Sequence, residues 1–286
     1  MTTMTVAAAG RHSGREGVSL PRVINSEWIK FRSLRSSWIA FAAALVAAIG
    51  LGILFSAVRA HNFGNIQHAT GPNGQSIPAS VIRQGFDPTL VSLRGLFLAQ
   101  LAVGVLGVLM ITGEYGTGMI RATLTSVPTR RPVLFAKCIV FGLFTFVIST
   151  AASLIAFLGG QAALHSDDLG VSLSSPGALR AVIGGGLFLM IVGLLGLGCG
   201  FAIRNTGGAI ATLFGLILVL PLLAQAFPQS WQNHLDQYLP LSAGSQLITT
   251  YHESGDLHPL SGGLVFAAYA VVSLVIGAIV LARRDA

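Results

Sequence analysis

Few side chains in this sequence have the type and spacing that catalysis or metal binding requires. His252 and Glu253 begin like the His-Glu-x-x-His helix of a zinc protease, but Asp256 stands where the second histidine would be. The remaining histidines are scattered through polar connections and show no metal-ligand spacing. Ser245 follows Gly244 but lacks the strand-turn-helix context of a nucleophile elbow. The sequence therefore predicts neither a hydrolase nor a metal site.

ATP hydrolysis is excluded by the positions of the lysines. A Walker A loop requires Gly-Lys followed by Ser or Thr, whereas the two lysines of the chain, Lys30 and Lys137, follow Ile29 and Ala136. If a nucleotide drives this protein, another polypeptide must hydrolyse it. We therefore expect this chain to bind no cofactor itself.

The polar segment that stands out is residues 111–137, which lies between two apolar stretches. Its first charged residue is Glu114, and three arginines follow: Arg121, Arg130 and Arg131. The carboxylate of Glu114 can pair with a base or accept backbone N–H groups. The apolar side chains that could fill a groove on a partner are Met119, Ile120 and Leu124. This pattern predicts a docking element for a cytoplasmic partner. The alternative for Glu114 is a simple helix-end charge.

The composition excludes a soluble globular protein. Of 286 residues, 53% are hydrophobic and only 9% are charged, against about 25% charged in an ordinary soluble domain. A soluble protein of this size could not keep so much apolar surface away from water. The formal net charge of +7 could suggest nucleic-acid binding, but in a membrane protein it is a topology signal. We predict a polytopic, all-α membrane protein with no nucleic-acid partner.

Six apolar runs are long enough to cross a bilayer as helices. We place these spans at residues 38–58, 95–112, 133–158, 181–203, 207–227 and 260–282. Residues 1–19 are predicted to be a disordered cytoplasmic tail, residues 20–36 an amphipathic interfacial helix, and residues 37–286 the transmembrane domain. Most lysines and arginines fall on the side of the termini. The positive-inside rule then predicts a multi-pass plasma-membrane protein with both termini in the cytoplasm.

The predicted interfacial helix has apolar residues at three- and four-residue steps, which places them on one face. They are Leu20, Val23, Ile24, Trp28, Phe31 and Leu34. The opposite face is polar and consists of Arg22, Asn25, Ser26, Arg32 and Ser33, with Lys30 at its margin. Glu27 falls within the apolar arc. It is either a solvated surface carboxylate or the partner of a basic residue in a neighbouring cytoplasmic segment. Lys137, near the start of the third span, is expected to snorkel to the interface.

The interiors of the predicted spans contain no Asp or Glu. Ion-coupled carriers and channels usually keep such groups at membrane depth, so their absence weakens both classes. Polar side chains in the spans either line a pathway or form helix–helix hydrogen bonds. The candidates for a pathway are Gln100, Ser149, Ser153, Thr212 and Gln225.

Small residues are concentrated in the fourth span, which includes Gly196-x-x-x-Gly200. This surface serves either packing within the chain or contact with a second copy. Pro221 is expected to kink the fifth span or break its outer half. In the last outer segment, residues at helical spacing predict a short amphipathic helix at the interface: Trp231, Leu235 and Tyr238.

Three stretches together resemble the permease subunits of type-2 ABC exporters, particularly the actinobacterial members that work with a separately encoded ATPase. The first is Ser26-Glu27-Trp28-Ile29-Lys30-Phe31-Arg32, ahead of the first span. The second runs from Gly113-Glu114-Tyr115-Gly116-Thr117-Gly118 to Thr129-Arg130-Arg131. The third is Leu239-Pro240-Leu241-Ser242-Ala243-Gly244, ahead of the sixth span. The resemblance covers residues 20–286.

The resemblance implies a six-helix half-transporter that pairs with a second permease copy, identical or paralogous, and binds two ATPase subunits that hold ATP and Mg. It implies a coupling helix formed by Glu114, Tyr115, Gly116, Gly118, Met119, Ile120, Arg121 and Leu124. The N-terminal helix would supply a second contact through Glu27, Trp28, Lys30, Phe31 and Arg32. The implied cargo is an amphiphilic drug, antibiotic, lipid or lipopeptide. The alternatives are a stand-alone carrier or channel, and a membrane sensor or scaffold without transport.

Overall fold

A computed structural model describes residues 19–33, 35–67, 86–120, 131–165, 169–228, 231–232, 235–251 and 255–283. These residues form helices and their connections, with no strand among them. Six of the helical segments are long and apolar enough to cross a membrane. The predicted all-α membrane fold with six spans is therefore confirmed. The predicted tail, apart from residue 19, lies outside the described residues.

The helices follow one another in chain order. The N-terminal half contains α1 Leu20–Ser33, α2 Arg35–Gln67, α3 Pro88–Leu93, α4 Leu96–Thr117 and α5 Arg131–Leu164. The C-terminal half contains α6 Ala178–Ile203, α7 Thr206–Phe214, a π-helical turn Gly215–Val219, α8 Leu220–Ala224, a 3-10 turn Asp236–Tyr238, α9 Pro240–Ser245 and α10 Pro259–Arg283. The spans are α2, α4, α5, α6, the α7–α8 segment and α10.

Several helices continue past the apolar runs that mark the spans. The first apolar run ends at Val58, but α2 continues to Gln67. The second ends at Thr112, but α4 continues to Thr117 and so includes Glu114. Hydropathy locates the part of a helix that lies in hydrocarbon. It does not locate the end of the helix, because the backbone can stay helical through the polar interface.

Helix α6 lies at the centre of the bundle and packs against α4, α5 and α10. Its glycines allow close approach of neighbouring backbones. A methyl group at Gly196 would overlap the carbonyl of Gly104, and one at Gly107 would overlap the carbonyl of Gly193. A methyl group at Gly200 would overlap the Cγ2 atom of the Ile111 side chain in α4. Of the two alternatives for this small-residue surface, the structure shows packing within the chain.

The fifth span changes its helical type just before Pro221. A proline has no N–H, and its ring clashes with the carbonyl four residues earlier. The residues ahead of it widen into the π-helical turn Gly215–Val219, where the N–H of Leu220 reaches the carbonyl of Gly215. The expected disruption is therefore a local widening, and the helix resumes as Leu220–Ala224.

At the end of the bundle opposite α1, the chain folds back between spans five and six. Gly244 of α9 packs against Phe188 and Phe266. A methyl group at Gly184 of α6 would overlap the carbonyl of Leu247. The segment predicted to form an amphipathic helix contains a 3-10 turn, in which Tyr238 is exposed. Residues 233 and 234 lie outside the described residues.

Asp87 holds together two of the connections between helices at this opposite end. Its carboxylate caps α3 by accepting the N–H of Leu90 at 2.9 Å. It also accepts the N–H groups of Thr250 and Tyr251 and the hydroxyls of Thr249 and Thr250. Burial raises the pKa of Asp87, but the hydrogen bonds from Leu90, Thr250 and Tyr251 outweigh it and leave the pKa below its ordinary value of 3.8. The carboxylate therefore stays charged at neutral pH.

Candidate functional site: a buried charge cluster at the α1 end

Helix α1 packs on α5 through residues spaced four apart. Val23, Glu27 and Phe31 are its buried residues. Val23 packs against Val133 and Ala136 of α5. The ring of Phe31 meets that of Phe144 at 4.9 Å between centroids. One apolar contact on each side of Glu27, through Val23 and through Phe31, therefore holds it against the bundle.

Glu27 meets Lys137 of α5 and, through it, Glu114 of α4. The Nζ atom of Lys137 lies 2.6 Å from Oε2 of Glu27 and 2.6 Å from Oε1 of Glu114. Lys30 adds a second ammonium, 2.8 Å from Glu27 and 3.8 Å from Glu114. These four residues are called the charge cluster below. It contains two acids and two bases, so its formal charges balance.

The charge cluster is largely shielded from water. The side chains of Glu27 and Lys137 are each 1% exposed, and that of Glu114 is 11% exposed. A buried charge is tolerated only when it is paired and hydrogen-bonded. Of the two alternatives for Glu27, the structure shows pairing with a basic residue. The expectation that Lys137 snorkels is wrong: its ammonium turns inward because two carboxylates hold it.

Glu114 occupies an unfavourable position on α4. It lies in the last turn of the helix, where the helix dipole disfavours a negative charge. The salt bridge from Lys137 offsets this. The Oε2 atom of Glu114 is buried and has no hydrogen-bond partner within the described residues. Glu114 is thus a buried end of a charge network and more than a solvated helix-end charge.

Tyr115, the next residue, contacts a different part of the chain. The guanidinium of Arg204 lies 5.2 Å from the centre of the Tyr115 ring. Arg204 also donates from Nη2 to the carbonyl of Val280 in α10, at 3.0 Å. Sequence reasoning assigned Arg204 no role beyond its charge. The only signal was its place in the three-residue connection, residues 204–206, between the predicted spans four and five.

The residues after Tyr115 differ in exposure. Gly116 and Gly118 are exposed, and Gly118 ends α4 in the left-handed conformation at φ 72°. Met119 is 48% exposed, whereas Ile120 is buried. Ile120 packs against Met110, Phe201 and other core residues of the same chain. Arg121 and Leu124 lie outside the described residues. Of the two groove-filling candidates that the structure describes, Met119 is therefore at the surface and Ile120 is not.

The α1 residues predicted to contact a partner also differ in exposure. Glu27 and Phe31 face the bundle, whereas Trp28 and Arg32 are exposed. Lys30 lies at the edge of a cleft of about 240 Å³ between α1 and the end of α4. Glu114, Thr117 and Met119 form its other side. The charge cluster therefore forms part of the wall of a surface cleft.

The five pathway candidates differ in exposure. Gln100, Ser149 and Ser153 are buried within the chain, and Thr212 and Gln225 are exposed. The hydrogen bonds of Gln100, Ser153 and Thr212 go to backbone carbonyls three or four residues earlier in their own helices. Within the described ranges, no three His, Cys, Asp or Glu side chains are grouped so that they could hold a metal ion.

A helical bundle with six segments long and apolar enough to cross a membrane is the architecture of a multi-pass membrane protein. The chain belongs to the ABC-2 family of transporter proteins: the family model described as "ABC-2 family transporter protein" matches residues 23–223. The match runs from α1 into α8 and includes the charge cluster and Arg204. No curated protein matches the chain. Family membership makes the chain a permease component of an ABC transporter and implies an ABC ATPase as its partner.

Proposed function

We propose that this chain is one half of an ATP-driven exporter and that its α1 end receives the movement of a separate ATPase subunit. The observation that supports this most directly is the charge cluster. Through Lys137 it joins α1 to α4 and α5, the two helices that flank the segment between spans two and three in the sequence. A movement imposed on that segment would therefore move three helices together.

The mechanism follows from the rigidity of this connection. Two copies of an ATPase subunit bind ATP and Mg and come together on the cytoplasmic side. They push on the segment that begins with Glu114 and Tyr115 and continues through Met119. Because Lys137 forms salt bridges with both Glu114 and Glu27, α4 moves together with α5 and α1. A second permease copy, identical or paralogous, completes the pathway and moves in the opposite sense, which alternates access between the two sides.

The proposed orientation places the α1 end in the cytoplasm of a cell whose plasma membrane holds the protein. The basic residues gathered at that end support this assignment. The proposed cargo is an amphiphile such as a drug, antibiotic, lipid or lipopeptide. An open cleft of about 720 Å³ at the opposite end has apolar, polar and charged walls, including Phe97, Ser245 and Arg94, which suits such a molecule.

Co-purification followed by an export assay tests this function. The tagged permease is isolated from its native membranes, reconstituted with the ATPase that accompanies it, and compared with Glu114→Gln. Asp236→Asn is the control, because Asp236 is exposed at the opposite end. We expect Glu114→Gln to lower export per ATP by roughly tenfold, since the ion pair with Lys137 is lost and only a weaker hydrogen bond to a neutral amide can replace it, and the control to match wild type. If no ATPase accompanies the chain, or if the chain alone conducts the cargo, the proposal is wrong.

A further inference from the structure

Tyr115 and Arg204 form a second connection from the end of α4, separate from the charge cluster. Glu114 points to α5 and α1, whereas the ring of Tyr115 lies against the guanidinium of Arg204. Arg204 belongs to the turn between α6 and α7. Two neighbouring residues therefore connect the end of α4 to two different sets of helices.

The backbone of Arg204 is held in an unusual conformation. Its φ is 59°, and no other non-glycine residue in the described ranges has a positive φ. It caps α6 by donating its N–H to the carbonyl of Gly200. Asn205 follows and caps α7 by accepting the N–H of Gly208. A cap on each side fixes this turn, so the Arg204 side chain leaves it in a defined direction.

The side chain of Arg204 also holds the end of α10. It donates to the carbonyl of Val280, which lies in the last turn of that helix, where carbonyls lack partners within the helix. The positive charge suits the negative end of the helix dipole. At its other end α10 packs against α9, and Tyr269 of α10 donates to the carbonyl of Tyr238 at 3.1 Å. Arg204 thus connects the end of α4 to a helix that reaches the opposite end of the bundle.

We propose that Arg204 is a positioning residue that transmits movement of the α4 end to the turn between α6 and α7 and to the end of α10. This inference rests on the proposed function. It adds a second route to the one through Glu114, and the two routes act on different helices. With Arg204 removed, α4 would still move α5 and α1, but α10 and the α9 segment that packs on it would follow less closely. ATP hydrolysis would continue with less export.

If Arg204 only stabilised the fold, its variants would lose export through lost stability. Matched variants separate this structural role from the positioning role. Glycine adopts a positive φ without strain, so Arg204→Gly removes the side chain while keeping the turn. Tyr115→Phe keeps the ring that the guanidinium contacts, whereas Tyr115→Leu removes it. The measurement is export per ATP hydrolysed by the reconstituted permease–ATPase complex, together with the melting temperature of each variant.

We expect Arg204→Gly and Tyr115→Leu each to lower export per ATP by roughly tenfold, because each removes the cation–π contact between the α4 end and Arg204, and Arg204→Gly also removes the hydrogen bond to Val280. Hydrolysis stays close to wild type, and Tyr115→Phe behaves as wild type. The double variant loses no more than either single variant, because both lie on one route. If Arg204→Gly does not fold, Arg204→Lys takes its place, with an expected loss of about threefold, since lysine lacks the planar fork of arginine.

Three outcomes would overturn this inference. In the first, Arg204→Gly, or Arg204→Lys in its place, exports as much per ATP as wild type. In the second, Tyr115→Phe is as damaging as Tyr115→Leu. In the third, the losses multiply in the double variant. Glu114→Gln is measured alongside. If Glu114→Gln lowers export per ATP and the Arg204 variants do not, only the proposed role of Arg204 is wrong. If the wild-type chain captures no ATPase, the proposed function fails and this inference fails with it.

Discussion

The ammonium of Lys137 and the carboxylate of Glu27 are 2.6 Å apart, although the two residues are 110 positions apart in the sequence. Each side chain is almost completely buried. This pair fixes the N-terminal helix to the third span. Because Lys137 also holds Glu114, the same ammonium fixes the end of the second span. The three elements therefore form a single unit beside the segment that we propose contacts the ATPase.

Loss of the shared ammonium is expected to destabilise the protein strongly. Lys137→Met leaves Glu27 and Glu114 buried together with only Lys30 nearby, and the free energy of unfolding should fall by about 3–5 kcal/mol. Thermal unfolding in detergent, followed by helical circular dichroism, measures this. Lys30→Met is the control. Lys30 is 30% exposed, so the loss should be at most about 1 kcal/mol. Equal losses for the two variants would contradict the special role of Lys137.

Removal of all three buried charges is expected to be much less damaging than removal of one. In the triple variant Glu27→Gln, Glu114→Gln, Lys137→Met, no uncompensated charge stays buried, so most of the stability lost in Lys137→Met should return. The same unfolding experiment measures it. A triple variant as unstable as Lys137→Met would show that packing of the lysine stem, and not its charge, holds these helices together.

The close approach of α4 and α6 predicts different effects for two glycines of one helix. Gly107→Ala places a methyl group against the carbonyl of Gly193 and should lower the free energy of unfolding by about 1–3 kcal/mol. A methyl group at Gly113 would have no atom within 4 Å. Gly113→Ala should therefore leave the free energy of unfolding unchanged or raise it slightly, because alanine favours the helix. Reversal of this order in a denaturation series would show that α4 and α6 do not pack as described.

The lowered pKa of Asp87 predicts how its contribution to stability depends on pH. A carboxyl whose pKa is lower in the folded protein stabilises it above the ordinary pKa of about 4, and this stabilisation is lost as pH falls through the folded value. At pH 7, Asp87→Asn should lower the free energy of unfolding by roughly 2–3 kcal/mol, because an amide nitrogen replaces an acceptor. The difference from wild type should shrink below about pH 4. A constant difference from pH 7 to pH 3 would contradict this account.

The sequence predicted the number of spans well, because a bilayer imposes a strong length and hydropathy requirement. It predicted the ends of the helices less well, since α2 and α4 remain helical beyond their apolar cores. It predicted disruption at Pro221 from proline geometry alone. It could not predict that the disruption takes the form of a π-helical turn, because the surrounding packing decides how a helix relaxes.

The charge cluster could be predicted only in part. The position of Glu27 within an apolar arc showed that it needed either water or a basic partner. The identity of that partner depends on how α1 docks on α5, and no local pattern contains this contact. The direction of Lys137 was predicted wrongly, because a snorkelling lysine and a paired lysine share the same place at the start of a span. Arg204 was missed because its partners, Tyr115 and Val280, belong to two helices that are far from it in the sequence.

The most direct test of the account is to find which end of this protein contacts the ATPase. A photo-crosslinking amino acid is placed at Met119, beside the charge cluster and 48% exposed, or at Tyr251, at the opposite end and 51% exposed. After irradiation of native membranes, the crosslinked partners are identified by mass spectrometry. The account predicts a crosslink to a subunit with Walker motifs from Met119 and none from Tyr251. A crosslink to that subunit from Tyr251, or none from Met119, would contradict it.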